Sequence, residues 1–556
     1  VKSLCLVVAA FPGADGALFA PRDLKAGDEV VTLTCGSPNK DFILEVNGGG
    51  LVVSDFNLDG HLDLVTVNGS TVSRVREGQP ALPSALWLGD GAGNFRPAGA
   101  DWSLPGGRWG MGGCAGDVDG DGDPDLVITE WGANRLYLND GGRGFIRAAG
   151  GTLNGKAEET APKGLKEDLW SSSCAFLDYD GDGHLDLVVV NYLDFDLQTA
   201  QGPGGSCRWK GHDVMCGPEG MTPVHDQLLR GRGDGTFEDV TIPSGFRPER
   251  PCFGLGVMTV DYDRDGDTDI YVANDSMPNH LWENQGDGTF KEVGMRRNVS
   301  HDSNGREQAG MGIACADIDG DGRSDLFVTN FSGERNALYR SSRKTSFREK
   351  ADVSRLGGPS IQRLGWGTGM HDYDLDGFID ISVVNGHVYP AADRAGTDTS
   401  YAQPGQLFLG SAESKFSVQP LCTGPDIVAR ASVAGDFDGD GDLDLVIVQL
   451  DGPVRYLESQ ATERKGRHWL SLALTGTVSH PDAVGAQVRL DVGERSYHGE
   501  VRTTAGYQAG CSTRLHFGLG ASERIDELRI TWPSGTEQVL KDVALDQLLA
   551  ITEPTQ

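Results

Sequence analysis

The chain has 556 residues, with 81 Asp and Glu against 48 Lys and Arg and a formal net charge of -33. That sign and size argue against nucleic acid or an anionic membrane surface as partner, and no stretch approaches the ~20 apolar residues of a membrane-spanning helix. The 79 glycines and 8 % aromatic residues fit many short strands joined by turns, not bundled helices.

The first 46 residues carry no repeat of their own. Val1 to Phe11 has a short charged and then apolar character that reads as a minimal signal peptide, without a clean small-x-small cleavage site before Pro21. The remainder of the segment is expected to cover an edge or complete the last repeat.

Residues 47–462 are organised by a nine-residue pattern, Asp-x-Asp/Asn-x-Asp-Gly-x-x-Asp followed by Leu or Ile, that occurs seven times. Its polar positions are Asp55, Asn57, Asp59 and Asp63; Asp117, Asp119, Asp121 and Asp125; Asp178, Asp180, Asp182 and Asp186; Asp261, Asp263, Asp265 and Asp269; Asp317, Asp319, Asp321 and Asp325; Asp372, Asp374, Asp376 and Asp380; and Asp436, Asp438, Asp440 and Asp444. Calcium is a hard cation that takes six to eight oxygens, and alternating carboxylates on a tight loop supply them, with the carbonyl of position 7 as a further ligand. The glycine at position 6 permits the positive φ that curls the loop. Solvated Asp-Gly turns alone would not demand an Asp at position 9, and magnesium prefers fewer carboxylates. Up to seven calcium ions are expected, which would bring the formal charge to -19, each ion adding two. The loops are not EF-hands, since each runs into a β-branched strand such as Leu187-Val-Val-Val190.

The first aspartates recur every 55 to 64 residues, with one interval of 83. Each unit reads as a small-residue strand, the loop, a β-branched strand, and a third strand with a glycine turn and a closing Phe, as in Leu281 to Phe290. Seven such units predict an all-β, seven-bladed β-propeller. Gly50, Gly112, Gly256, Gly312 and Gly367 fall five residues before their loops, where inner strands crowd around an axis and large side chains would clash. Residues 463–556 alternate differently, as in Trp469-Leu-Ser-Leu-Ala-Leu474, and predict a separate small β-sandwich.

The long interval contains a polar excursion bracketed by Cys207 and Cys216, which a disulfide would stiffen. Cys114, Cys174 and Cys315 sit in small apolar runs just before loops and read as buried free thiols.

Five residues beyond the last Asp of each loop stand Asn68, Glu130, Asn191, Asn274, Asn330, Asn385 and Gln449. These seven are expected to form a polar ring at the channel mouth opposite the calcium loops, able to bind a sugar, a peptide or a cation. The bland reading is that each caps its own turn. Glu130, Asp275 and His387 are the acid/base candidates on that face. Arg232-Gly233-Asp234 coincides with a repeat turn and is not read as an adhesion motif. No Gly-x-Ser-x-Gly, His-Glu-x-x-His or phosphate-loop pattern occurs.

The repeats resemble FG-GAP or VCBS repeats, the units of integrin α-subunit propellers. The block with His480-Pro-Asp-Ala-Val-Gly-Ala486, Leu515-His-Phe-Gly-Leu-Gly520 and Trp532-Pro-Ser-Gly535 resembles the ASPIC/UnbV domain. Together they resemble the cartilage acidic protein-like family, whose pattern includes Cys207 with Val214-Met-Cys-Gly-Pro218, Asn274-Asp-Ser276 and Asn385-Gly-His387-Val-Tyr-Pro390. The resemblance implies a secreted calcium-binding propeller; Asn57 at a ligand position weakens the first site. The expected function is an extracellular or periplasmic binding, adhesion or scaffold module for a protein or glycan, the alternative being a calcium-stabilised enzyme with its site on the face opposite the loops.

Overall fold

The computed structural model describes residues 17–27, 29–147, 169–200, 202, 207–342 and 346–555; the expected signal segment, Val1 to Phe11, lies outside them. Among the described residues seven four-stranded antiparallel units follow one another, each starting from a strand that ends just before a nine-residue loop. The inner strands are Gly50–Ser54, Gly110–Gly116, Ser171–Leu177, Gly254–Val260, Ile313–Ala316, Gly365–His371 and Ala429–Gly435. Each packs against the next and the last against the first, so the sheets close into a β-propeller.

Closure is made by both ends of the repeat region. The last sheet takes its outer strand from the N-terminal segment, where Phe19–Asp23 pairs antiparallel with Arg455–Ser459. Antiparallel hydrogen bonds thus join residues more than four hundred positions apart, and the edge that a purely sequential repeat would leave open is covered. Of the first 46 residues, Phe19–Asp23 supplies the outer strand of the last sheet, while Lys25–Ala26 lies beside the outer strand of the first.

The apolar layers lie between successive sheets, because strand side chains alternate between two faces. Ala175, Leu177 and Val188 of the third sheet meet Val257, Ile270 and Trp282 of the fourth. The small inner residues have the steric cause the sequence suggested. A Cβ on Gly312 would stand 2.0 Å from the Trp366 carbonyl oxygen of the next inner strand.

The C-terminal residues form a three-stranded sheet of His468–Thr475, Leu515–Gly520 and Leu548–Thr552 facing a four-stranded sheet of Gln487–Val492, Arg495–Glu500, Glu527–Thr531 and Glu537–Leu540. They enclose a core that includes Leu472, Val488, Phe517 and Trp532. This is the predicted sandwich, but it is not separate from the propeller. The segment Thr503–Cys511 leaves it and enters the propeller axis. There Val257 donates its N–H to the Gly506 carbonyl at 3.0 Å, and Leu51 to the Gln508 carbonyl at 3.1 Å. Ala509–Gly510 adds as a parallel strand beside Gly50–Ser54. Tyr507, fully buried, lies 5.0 Å from Trp366. Gly112 has a second reason to be small, as its Cβ would come within 2.7 Å of the Gln508 Cα.

Candidate metal loops and the faces they separate

The seven loops share one geometry. The position-1 aspartate accepts from the N–H of the position-6 glycine in every copy, at 2.6 to 3.2 Å. That glycine has φ between +83° and +97° throughout, the left-handed region that a side chain would strain. Oxygens from Asp117, Asp119 and Asp125 converge within 4.8 Å of one another, as do those of Asp178, Asp180 and Asp186, of Asp261, Asp263 and Asp265, of Asp317, Asp319 and Asp325, and of Asp372, Asp374 and Asp380.

The position-9 aspartate has a role that the sequence reading missed. In all seven copies one oxygen accepts from the N–H of position 2, at 2.8 to 3.3 Å. The other accepts from an N–H at the end of the third strand, at 2.7 to 2.9 Å. Asp63, Asp125, Asp186, Asp269, Asp325, Asp380 and Asp444 therefore tie loop to sheet whether or not a metal is present. The expectation that turn chemistry would not call for Asp at this position is corrected.

Burial sets the electrostatics of these groups. It pushes the carboxyl of Asp63 up to about 7, Asp125 to about 8, Asp186 to about 9 and Asp444 to about 8, against the N–H donors that favour the charged form. A cation among them would reverse that cost. The donor set fits a hard divalent cation on a further observation: at position 3, an oxygen of Asp119, Asp180, Asp263 and Asp374 is buried and accepts no hydrogen bond from the described residues. Buried acceptors are ordinarily satisfied, and these four point to an ion as partner. Three loops have arginines against their aspartates, and at the sixth Arg464 donates to Asp374 at 3.3 Å. Arg230 bonds to Asp180 and Asp182 at 2.8 Å each. Arg340 pairs with Asp319, and with Asp325 at 2.8 Å.

The sandwich sits on the loop face. Its Arg514 donates to the Gly60 carbonyl at 2.7 Å, His480 Nε2 lies 2.8 Å from the Asp117 carbonyl oxygen, and Gln487 donates to Asp261 at 2.7 Å. His498 Nδ1 stands 2.9 Å from Asp317, Arg495 donates to the Gly377 carbonyl at 3.2 Å, and His516 Nε2 lies 2.9 Å from the Gly441 carbonyl oxygen. Asp482 accepts from the N–H of Asp117 at 2.8 Å; burial, and then the Asp482 charge, raise the Asp117 carboxyl to about 6. Six of the seven loops are thus touched by residues that sequence reasoning did not place there. The motif around His480-Pro-Asp482 was the available signal.

The ring at the other strand ends is occupied by the fold itself. The side-chain NH2 of Asn68, Asn191, Asn274, Asn330, Asn385 and Gln449 donates to the carbonyl of Pro83, His225, Pro278, Arg335, Pro404 and Pro453 respectively, at 2.7 to 3.4 Å. Each acceptor stands two residues before the third strand of its sheet. The amide clamps the connection that starts that strand, and the side chain must be a donor because the partner is a carbonyl, a role an ionised carboxylate could not fill. Glu130 instead pairs with Arg135, the first residue of its third strand, and accepts from the N–H of Arg108 at 3.0 Å. The amide donors of the expected ring are thus spent on the turns and Thr503–Cys511 enters the axis, while the side-chain oxygens of Asn274, Asn330 and Asn385 are buried and accept no hydrogen bond from the described residues.

The three acid/base candidates lie in three sheets, each with its own partners. Burial raises the Glu130 carboxyl although Arg135 favours its charge. Burial also raises Asp275, which accepts from the Tyr192 hydroxyl at 2.7 Å. His387 is fully buried and its Nδ1 accepts from the N–H of Tyr389 at 3.0 Å. Burial, and then Arg430, push it down to about 3, so it is neutral. The Cys207–Cys216 disulfide is closed, with Cα atoms 5.3 Å apart. Its loop reaches across to this residue, and Trp209 lies 4.6 Å from the His387 ring and 5.7 Å from Tyr389.

Fold and loops together define a β-propeller of FG-GAP-like repeats with an ASPIC and UnbV domain. The FG-GAP-like repeat model matches residues 55–128, 117–189, 261–328 and 317–383, and the ASPIC and UnbV model residues 476–556. The chain is homologous to cartilage acidic protein 1 across about 70 % of its length. Identity is 24 % over 472 residues with the Xenopus tropicalis protein, covering 75 % of this chain and 69 % of that one. It is 25 % over 395 residues with the Mus musculus protein, covering 70 % of this chain and 56 % of that one. The chain therefore spans little more than half the length of the mammalian relative. Among solved structures, an Agrocybe aegerita lectin that recognises non-reducing terminal N-acetylglucosamine aligns at TM-score 0.40 and 16 % identity, over 73 % of this chain and 86 % of that one. BBS1N from a complex with ARL6DN aligns at TM-score 0.43 and 11 % identity, over 80 % and 98 %.

Proposed function

We propose that this chain is a calcium-organised binding or scaffold module of the extracellular or periplasmic space. The observation that carries the reading is the group of buried, unpartnered position-3 oxygens, three of which, on Asp119, Asp263 and Asp374, lie in loops that the sandwich touches. Calcium in such loops would neutralise carboxylates that burial makes costly and would hold propeller and sandwich as one body. The covered loop face leaves the opposite face, with the Cys207–Cys216 loop on it, as the surface for a protein or glycan ligand. A closed disulfide and multi-aspartate loops suit an oxidising, calcium-rich compartment. No helix among the described residues is long and apolar enough to cross a membrane. An acid/base role for Glu130, Asp275 and His387 receives little support, since Glu130 pairs with Arg135, Asp275 accepts from the Tyr192 hydroxyl of the preceding unit, and His387 lies beneath Trp209.

The test is a calorimetric titration of calcium into chelator-stripped protein, followed by glycan-array and extracellular-protein screening with and without the metal. Uptake of several ions with calcium-dependent ligand capture is expected. A folded protein that takes up no calcium would overturn the proposal.

A further inference from the structure

We propose that Cys114 and Cys174 are the two halves of a second disulfide, which links the inner strands of the second and third sheets beside the propeller axis. Their sulfurs lie 2.9 Å apart. That is inside the separation at which two non-bonded sulfurs rest, and ~0.9 Å beyond a formed bond of ~2.05 Å. The sequence alone marks them as buried free thiols.

Strand parity explains the meeting. Cys114 stands three residues before its loop and Cys174 four residues before its own, so the two side chains project to opposite faces of their respective sheets. In the third sheet Ala175 and Leu177 point toward the fourth, while Cys174 and Phe176 point back toward the second. In the second sheet Ala115 packs toward the first, and Cys114 forward toward the third. Both thiols therefore enter one apolar layer from its two sides. Neighbouring inner strands pack closely here, and the cysteines are 0 % and 1 % exposed.

The redox balance is that of thiol–disulfide exchange. The thiolate of one cysteine attacks a sulfur of a disulfide oxidant, such as oxidised glutathione or a disulfide oxidoreductase, and releases one thiol. The thiolate of the second cysteine then attacks the chain's sulfur in the mixed disulfide and releases the other thiol. Two electrons and both protons pass to the oxidant. Burial holds the Cys114 thiol well above its usual range, which places the exchange during assembly of the two sheets, before their layer closes. The Cys207–Cys216 bond requires the same oxidant and serves as an internal standard. Cys511 is the competing partner, because Gly510 packs directly on the Cys114 backbone.

Full-length protein exported to a bacterial periplasm would be denatured, alkylated without reductant, digested and mapped by mass spectrometry, taking molecules in which Cys207–Cys216 is closed. The expected result is a linked pair of peptides carrying Cys114 and Cys174, with both sites protected from alkylation. In Cys174→Ala, Cys114 should become fully alkylated. Alkylation of both cysteines beside a closed Cys207–Cys216 bond would overturn the proposal. So would a Cys114–Cys511 link, or a Cys114 that stays protected in Cys174→Ala.

Discussion

Gln508 donates its side-chain Nε2 to the backbone carbonyl of Asn47 at 2.6 Å, across 461 positions of sequence. The same residue receives the N–H of Leu51 on its own carbonyl, and its N–H reaches Ser173 Oγ at 3.0 Å. One residue of the C-terminal domain thus holds the first and third sheets at the axis. The inner strands have small residues because their neighbours, and this segment, occupy the space a side chain would need.

The first prediction concerns that segment. Tyr507→Ala removes a fully buried ring packed on Trp366 and should cost about 3–5 kcal/mol. Because the ring joins sandwich to propeller, thermal unfolding should also split from one transition into two. Differential scanning calorimetry in calcium reads both effects; an unchanged single transition would show that the segment does not couple the domains.

Loop carboxylates make the stability without metal depend on pH in a stated direction. Burial holds Asp125 near 8 and Asp186 near 9 in the folded chain, against an unfolded value near 3.9. A raised folded pKa means that the stability contribution is full below the unfolded value and is lost as pH rises through the folded one. Chelator-treated protein should therefore lose stability between about pH 4 and pH 9, whereas calcium should flatten that slope. Urea midpoints at several pH values, in chelator and in calcium, check it.

Positions 5 and 9 of one loop should separate metal binding from folding. Asp186→Ala strips partners from the N–H groups of Tyr179 and Gly231 and should destabilise the protein by about 1–3 kcal/mol for each orphaned group even in chelator. Asp182→Ala, at the exposed edge of the loop, should leave stability in chelator nearly unchanged and lower calcium affinity. Equal losses in chelator would contradict the distinction.

The third and fifth loops, with Arg230 and Arg340 against their aspartates, should hold calcium most weakly, since the guanidinium competes for the same oxygens. Arg340→Met should raise the affinity of the fifth loop by about tenfold or more, equivalent to ~1.4 kcal/mol. Calorimetric titration of the variant would show one weak site becoming tight.

Acid should act on the sandwich through Glu553. Burial opposes its charge, but the Ser534 hydroxyl and the N–H groups of Thr477, Ser479 and Val478 outweigh it and pull the carboxyl down to about 2. A depressed folded pKa contributes stability above the unfolded value, lost as pH falls from about 4.5 to about 2. Glu553→Gln should lower stability on the order of 2 kcal/mol at pH 7 and have little effect near pH 2, measured by denaturation of the full chain.

The sequence by itself determined the repeat, the loop geometry and the strand order within each sheet, because these depend on short-range requirements. Gly60 and its counterparts need positive φ, alternating carboxylates need a cation or hydrogen bonds, and Leu187 to Val190 needs a buried pleated surface. The Cys207–Cys216 bond was legible for the same reason, as a short loop with two cysteines at its ends. What only the tertiary structure decided were the relationships between distant segments. Phe19–Asp23 closing the last sheet, Thr503–Cys511 filling the axis and the sandwich lying over six of the seven loops leave no periodic mark, since each involves one segment packing once. The ring of Asn68 to Gln449 shows the boundary. Its regular spacing was visible in the sequence, but whether the amides faced a ligand or their own turns depended on which carbonyls the fold brought within 3.4 Å.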